Sequence, residues 1–178
     1  MSPWKLFRPD PMPATAAALY AAITAQARHP AFYTEGGVPD SIDGRFEMVT
    51  LHSYLVLRRL RGTDAQAERL AQALVDAFFS DMDASLREMG AGDLGVGKRV
   101  KAMASAFYGR LAAYEAGENA GNLAEAFRRN LFGTATPTPV QLAAMVSYVD
   151  AAGAVLASQP LAEIFAARLV FPALKPAG

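Results

Sequence analysis

An all-α fold is what this sequence predicts: one compact single-domain bundle of six or seven helices around a central apolar helix. Three observations carry that expectation. Apolar residues recur at helical spacing along most of the chain, no stretch alternates apolar and polar as a strand would, and alanine-rich segments favour helix. At 178 residues the chain fits one domain, long enough to bury roughly 70% of its unfolded surface without a disulfide or metal staple.

Residues 1–13 read as an irregular arm carrying the only tryptophan, Trp4; residues 14–171 form the helical domain and 172–178 a tail. Thr15 is a plausible cap for a first helix running to about Arg28, with Leu19, Ala22, Ile23 and Ala27 on one face and His29-Pro30 closing it. Phe32 to Asp40 mixes aromatics with turn residues and reads as a short turn packed by its rings. Ser41 or Asp43 caps a second helix to about Arg61, whose middle, MVTLHSYLVLRRL, is apolar on nearly every side and so belongs at the centre. Gly62-Thr63-Asp64 breaks the chain and supplies the next cap. A third helix, Ala65 to Met89, carries the stripe Leu70, Leu74, Phe78, Met82 and Leu86.

The next segment, GAGDLGVGK, holds Gly90, Gly92, Gly95 and Gly97. Each costs ~1 kcal/mol relative to alanine inside a helix, so a loop is expected there. A fourth helix resumes near Val96 and runs to about Ala116, with Val100, Met103, Phe107 and Leu111 on its apolar face. After the GENAGN turn a fifth spans Leu123 to Phe132. Thr138 caps a sixth, about Val140 to Ala157, with Pro139 in its first turn, and a short seventh covers Leu161 to about Leu169.

The composition narrows function. Seventeen basic residues balance seventeen acidic ones, and the isoelectric point is about 6.7; a general DNA binder reads as clearly basic. Cysteine is absent and histidine occurs only at His29 and His52, which removes thiol chemistry and nearly excludes a multi-histidine metal site. The prolines and Asp10 around Lys5 and Arg8 make a poor signal peptide, and no run of eighteen apolar residues occurs. The expected location is cytoplasmic, or peripheral at the inner face of the plasma membrane.

Several motifs imitate catalytic ones. Gly92 to Lys98 satisfies the first seven positions of the phosphate-binding loop G-x-x-x-x-G-K, but Arg99 stands where the Mg²⁺-binding Ser or Thr belongs and a helix precedes the segment. Asp76, Asp81 and Asp83 lack the i, i+3 or i, i+4 spacing that would place a carboxylate pair on one face, and no second aspartate-rich helix exists. His52, within the most apolar helix, reads as a buried, hydrogen-bonded core residue. No cofactor is expected, and the chain reads as a non-enzyme.

What remains are binding surfaces. Arg58, Arg59 and Arg61 suit a helix C-terminus. Lys98, Arg99 and Lys101 sit at a helix start, where the dipole disfavours cations, so local propensity does not explain them. Of the doublets Phe78-Phe79 and Phe107-Tyr108, one member each must reach the surface. Exposed aromatics and methionine beside cations mark a protein-binding patch; the expected contact residues are Phe79, Met82, Leu94, Val96, Lys98, Arg99, Lys101, Phe107 and Tyr108.

The run VPDSIDGRFEMVTLHSYLVLRRLR (Val38 to Arg61) resembles the ubiquinol–cytochrome c chaperone family, as does FFSDMDASLREMGAGDLGVGKRVKAMASAFYGRLAAY (Phe78 to Tyr114) followed by Asn130-Leu131-Phe132. The pattern is a Pro-Asp turn into a histidine-bearing helix, an Asp-rich helix ending in Arg-Glu-Met-Gly, and Phe-Tyr-Gly-Arg. It spans about Ala14 to Phe132, with a weaker match beyond. The resemblance implies a bacterial assembly chaperone without catalysis, with cytochrome b or another bc1 subunit as client. It also implies a partnership with the ribosome or a small partner protein. A generic helical interaction module with another client is the alternative.

Overall fold

The computed structural model describes residues 10–88, 90, 93–133 and 135–175, with the backbone alone for Asp93 and Leu94. Among these residues there is no strand. Eight helices follow in order: α1 (Met12–Ala27), α2 (Ala31–Thr34), α3 (Ile42–Leu60), α4 (Ala65–Glu88), α5 (Asp93–Asn119), α6 (Leu123–Arg129), α7 (Pro139–Ser158) and α8 (Leu161–Phe165). The count exceeds six or seven because the aromatic turn after His29 closes into the single-turn α2.

Local chemistry sets the ends. The Asp10 carboxylate accepts from the Met12 amide at 3.0 Å, so α1 begins before Thr15, the expected cap, which lies inside the helix. Ser41 Oγ accepts from Gly44 N at 3.1 Å to start α3, and Asp64 accepts from Ala67 N at 2.7 Å to start α4. Thr138 and Gln141 exchange a reciprocal capping box at α7. Gly44 is required by packing, since a Cβ there would collide with the Pro39 carbonyl.

The larger departure lies in α5. It begins at Asp93, ahead of the expected start near Val96, so that it takes in Gly95 as well as Gly97, and it continues through Asn119. Val96, between the two glycines, is buried. Burying a valine contributes about 1.5–3 kcal/mol, which offsets the glycine cost.

α3 is the axis, with thirteen of its nineteen residues buried. It packs against α1, α4, α5 and α7; α1 also lies along α4, and α6 bridges α5 and α7. His52 is fully buried. The Met48 carbonyl (2.8 Å) can only accept, so His52 Nδ1 carries the proton and Nε2 accepts from the Tyr148 hydroxyl at 2.7 Å. Gln26 donates to that hydroxyl at 3.1 Å, and Phe32 and Phe171 pack their rings on the imidazole. Desolvation lowers the His52 pKa to about 4.

At the other end of α3, Arg58 pairs with Glu118 of α5, which also accepts from the Tyr54 hydroxyl at 2.6 Å. The Arg58 guanidinium lies over Gly153 of α7, in the space a side chain there would occupy. By length and composition α7 is apolar enough to cross a membrane; here Leu142, Met145, Tyr148, Val149, Ala152 and Leu156 are buried in the protein.

Candidate functional site

α4 and α5 pack against each other, and their aromatic doublets divide between core and surface. Phe78 and Phe107 turn inward with ring centroids 4.4 Å apart, and Tyr20 and Phe46 close edge-on against Phe78. Phe79 and Tyr108 follow outward, 6.1 Å apart; Phe79 is half-buried and Tyr108 is 53% exposed. Met82, one turn beyond Phe79, is also half-buried.

The structure therefore divides the expected contact set. Phe79, Met82 and Tyr108 lie at the surface, and Lys98, Arg99 and Lys101 are exposed. None of these three cations forms an ion pair with a described residue. Phe107 and Val96 do not belong on the face: both are buried, Phe107 against Phe78 of α4. The Leu94 side chain, like Trp4 and the glycine-rich start Ala91-Gly92, lies outside the described residues.

The second basic cluster is spent internally. Arg59 donates to the Leu156 and Gln159 carbonyls at 2.9 and 3.0 Å, at the end of α7. Arg61 pairs with Glu115 at 2.6 Å and Arg58 with Glu118. Of the aspartates, Asp76 accepts from Gln72, Asp81 from the Tyr20 hydroxyl at 2.9 Å, and Asp83 pairs with Arg87. Burial, with Asp81 adding to it, holds the Tyr20 phenol well above its ordinary pKa. Among the described residues no group of three or more acidic or histidine side chains is placed to hold a metal. Lys98 rides on an exposed helical turn preceded by α4, which is not the strand-loop-helix geometry of a nucleotide site.

On the opposite flank of α5 the structure opens a groove that the sequence did not disclose. About 450 Å³ lies between the start of α3, the middle of α5 and residues 129–133. Its apolar wall includes Ile42, Phe46, Met103 and Phe132, with Ala102 and Ala106 along α5. Ile42, in the first turn of α3, is 74% exposed.

Glu47 and Arg110 also line this groove. Arg110 Nη2 and Nε donate to Glu47 Oε1 at 2.7 and 2.9 Å, and the buried Tyr114 hydroxyl lies 3.5 Å from Oε2. Burial raises the Glu47 carboxyl above its ordinary range, opposed by the guanidinium. The carboxylate in turn raises the Arg110 pKa. The second terminal nitrogen of Arg110, Nη1, has no partner among the described residues. Nothing in the local sequence announces this groove, because it joins three separated segments; the one signal was a charged pair, Glu47 and Arg110, on otherwise apolar helix faces.

The outer face of α4 and α5 offers apolar side chains, and α5 carries exposed cations that pair with no described residue.

No curated protein matches this chain. A crystal structure of the Cbp3 homolog from Brucella abortus is similar at a TM-score of 0.79 and 36% sequence identity, with 90% of each chain covered. The family model described as ubiquinol-cytochrome C chaperone matches residues 34–171, so the likeness runs through the C-terminal helices as well. The chain belongs to the ubiquinol–cytochrome c chaperone family.

Proposed function

We propose that the protein is a non-catalytic assembly chaperone that holds newly made cytochrome b while the bc1 complex matures. It would act in the cytoplasm or at the inner face of the plasma membrane. Family membership supports the bc1 connection. The observation that carries the holding role is the outer face of α4 and α5, exposed Tyr108 with half-buried Phe79 and Met82, on a helix whose exposed Lys98, Arg99 and Lys101 form no ion pair with a described residue. Aromatics and methionine supply adaptable apolar contact, and the cations meet acidic loops of the client.

Gentle crosslinking of the tagged protein in its host, followed by identification of what co-purifies, tests the reading. Cytochrome b should be enriched, with ribosomal proteins if holding begins during synthesis. Lys98→Glu with Arg99→Glu should reduce that recovery while helical content is unchanged. An unrelated client with cytochrome b at background would mean that the fold serves another partner.

A further inference from the structure

We propose that the groove between α4 and α5 is the seat of the chain's own N-terminal arm, residues 1–9, which a client has to displace to reach Tyr108. About 370 Å³ lies open there, with Ala71 and Val75 on the α4 wall, Leu111 and Ala112 on the α5 wall, and Leu57 of α3 also in the lining. Tyr108 lines it too, so the groove is continuous with the face of Phe79 and Met82.

Position, reach and charge select the arm. Residues 1–9 precede the described ones, and Asp10, where the described chain begins, pairs with Arg69 of α4 at 2.8 Å. Arg69 adjoins Glu68 and stands three residues before Gln72, both in the lining. Nine extended residues span up to roughly 30 Å, and a helix is only about 10 Å across, so the groove is within reach of this anchor. The arm, MSPWKLFRP, sets Trp4, Leu6 and Phe7 among two cations, Lys5 and Arg8, with no acid. The groove is its complement. Arg61 and Glu115 neutralise each other within the lining. Glu68, however, accepts from the Gly62 amide and Asp76 from Gln72, and neither carboxylate forms an ion pair with a described residue. Tethered at Asp10, the arm acts at an effective concentration in roughly the millimolar range. Its competition with a client rests on the holding role; the docking itself does not.

Trp4 is the only tryptophan, so the full-length protein carries its own reporter. Its emission should be blue-shifted, and its quenching by iodide several-fold weaker, relative to a peptide of residues 1–10. Ala112→Arg, at an exposed position of the lining, and Asp76→Lys should each move both readings toward the peptide's; circular dichroism checks that the variants are folded. Wild-type readings equal to the peptide's overturn the proposal, as does a blue shift that neither variant changes. So does a shift that grows with protein concentration, which would seat the arm in a second copy, or one that arises only when anionic phospholipid vesicles are added. Crosslinking in the host separates the two claims. Deleting residues 2–9 should raise recovery of cytochrome b. If recovery is at background with or without the arm, the holding role fails while Trp4 still reports the docking. If wild type recovers cytochrome b and the deletion recovers no more, the competition is overturned and the holding role stands.

Discussion

Replacing His52 by Gln tests the buried hydrogen-bond chain that ties α3 to α7. In the folded protein the imidazole is neutral, donating to the Met48 carbonyl and accepting from Tyr148. Protonation would leave a second N–H facing a hydroxyl that already donates to it, inside a shell of Phe32, Phe171 and Tyr148. Desolvation therefore lowers the pKa from 6.5 to about 4. The unfolded chain takes up the proton at 6.5, so stability from this site is complete above that pH and is lost as pH falls toward 4. At about 1.4 kcal/mol per pH unit across that window, the loss approaches 3 kcal/mol.

Urea unfolding of wild type and His52→Gln at half-unit steps from pH 8 to pH 4 isolates the effect, because every other titrating group is shared. At pH 8 the variant should be less stable by about 1–3 kcal/mol, from imperfect hydrogen bonds and packing. The gap should then close as pH falls, and the curves should approach or cross near pH 4. Parallel curves would refute the reasoning, since they would mean that native His52 titrates as it does in the unfolded chain.

The two members of the α5 doublet should behave in opposite ways. Phe107→Ala should cost about 3–5 kcal/mol in urea unfolding, whereas Tyr108→Ala should cost under about 1 kcal/mol and reduce client recovery instead. Gly97→Ala should gain up to about 1 kcal/mol in thermal unfolding, because a Cβ there meets nothing within 4 Å in an exposed helical turn. Gly44→Ala should lose several kcal/mol by clashing with Pro39; equal melting temperatures for the two glycine variants would contradict the assigned backbone.

Much of the architecture was legible because the signals are local. Ser41, Asp64 and Thr138 act as the caps they resemble, and the stripe Leu70, Leu74, Phe78 and Leu86 is buried as its spacing requires. His52 sits in the core as its apolar surroundings suggest. Errors arose where tertiary contacts override local preference. Gly95 and Gly97 oppose a helix, yet the helical path runs through both and leaves Val96 between them buried. Thr15 resembles a cap, yet Asp10 reaches the Met12 amide first.

The site was legible in part for the same reason. A doublet on a helix shows that one ring points outward, but which one depends on the partner helix; Phe107 meets Phe78, and so Tyr108 is left outside. The groove beside Arg110 was illegible, since residues 42–47, 102–110 and 129–133 are neighbours only after folding.

Arg58 and Gly153 carry an evolutionary consequence. The end of the guanidinium fills the volume that a side chain at 153 would need, so a Cβ there displaces Arg58. A lineage that gains alanine at 153 has to shift the flexible end of that cation in the seam between α3 and α7, and its pairing with Glu118 shifts with it. Aligned members of the family should therefore show three-way covariation, with glycine at 153 accompanying arginine at 58 and an acidic residue at 118.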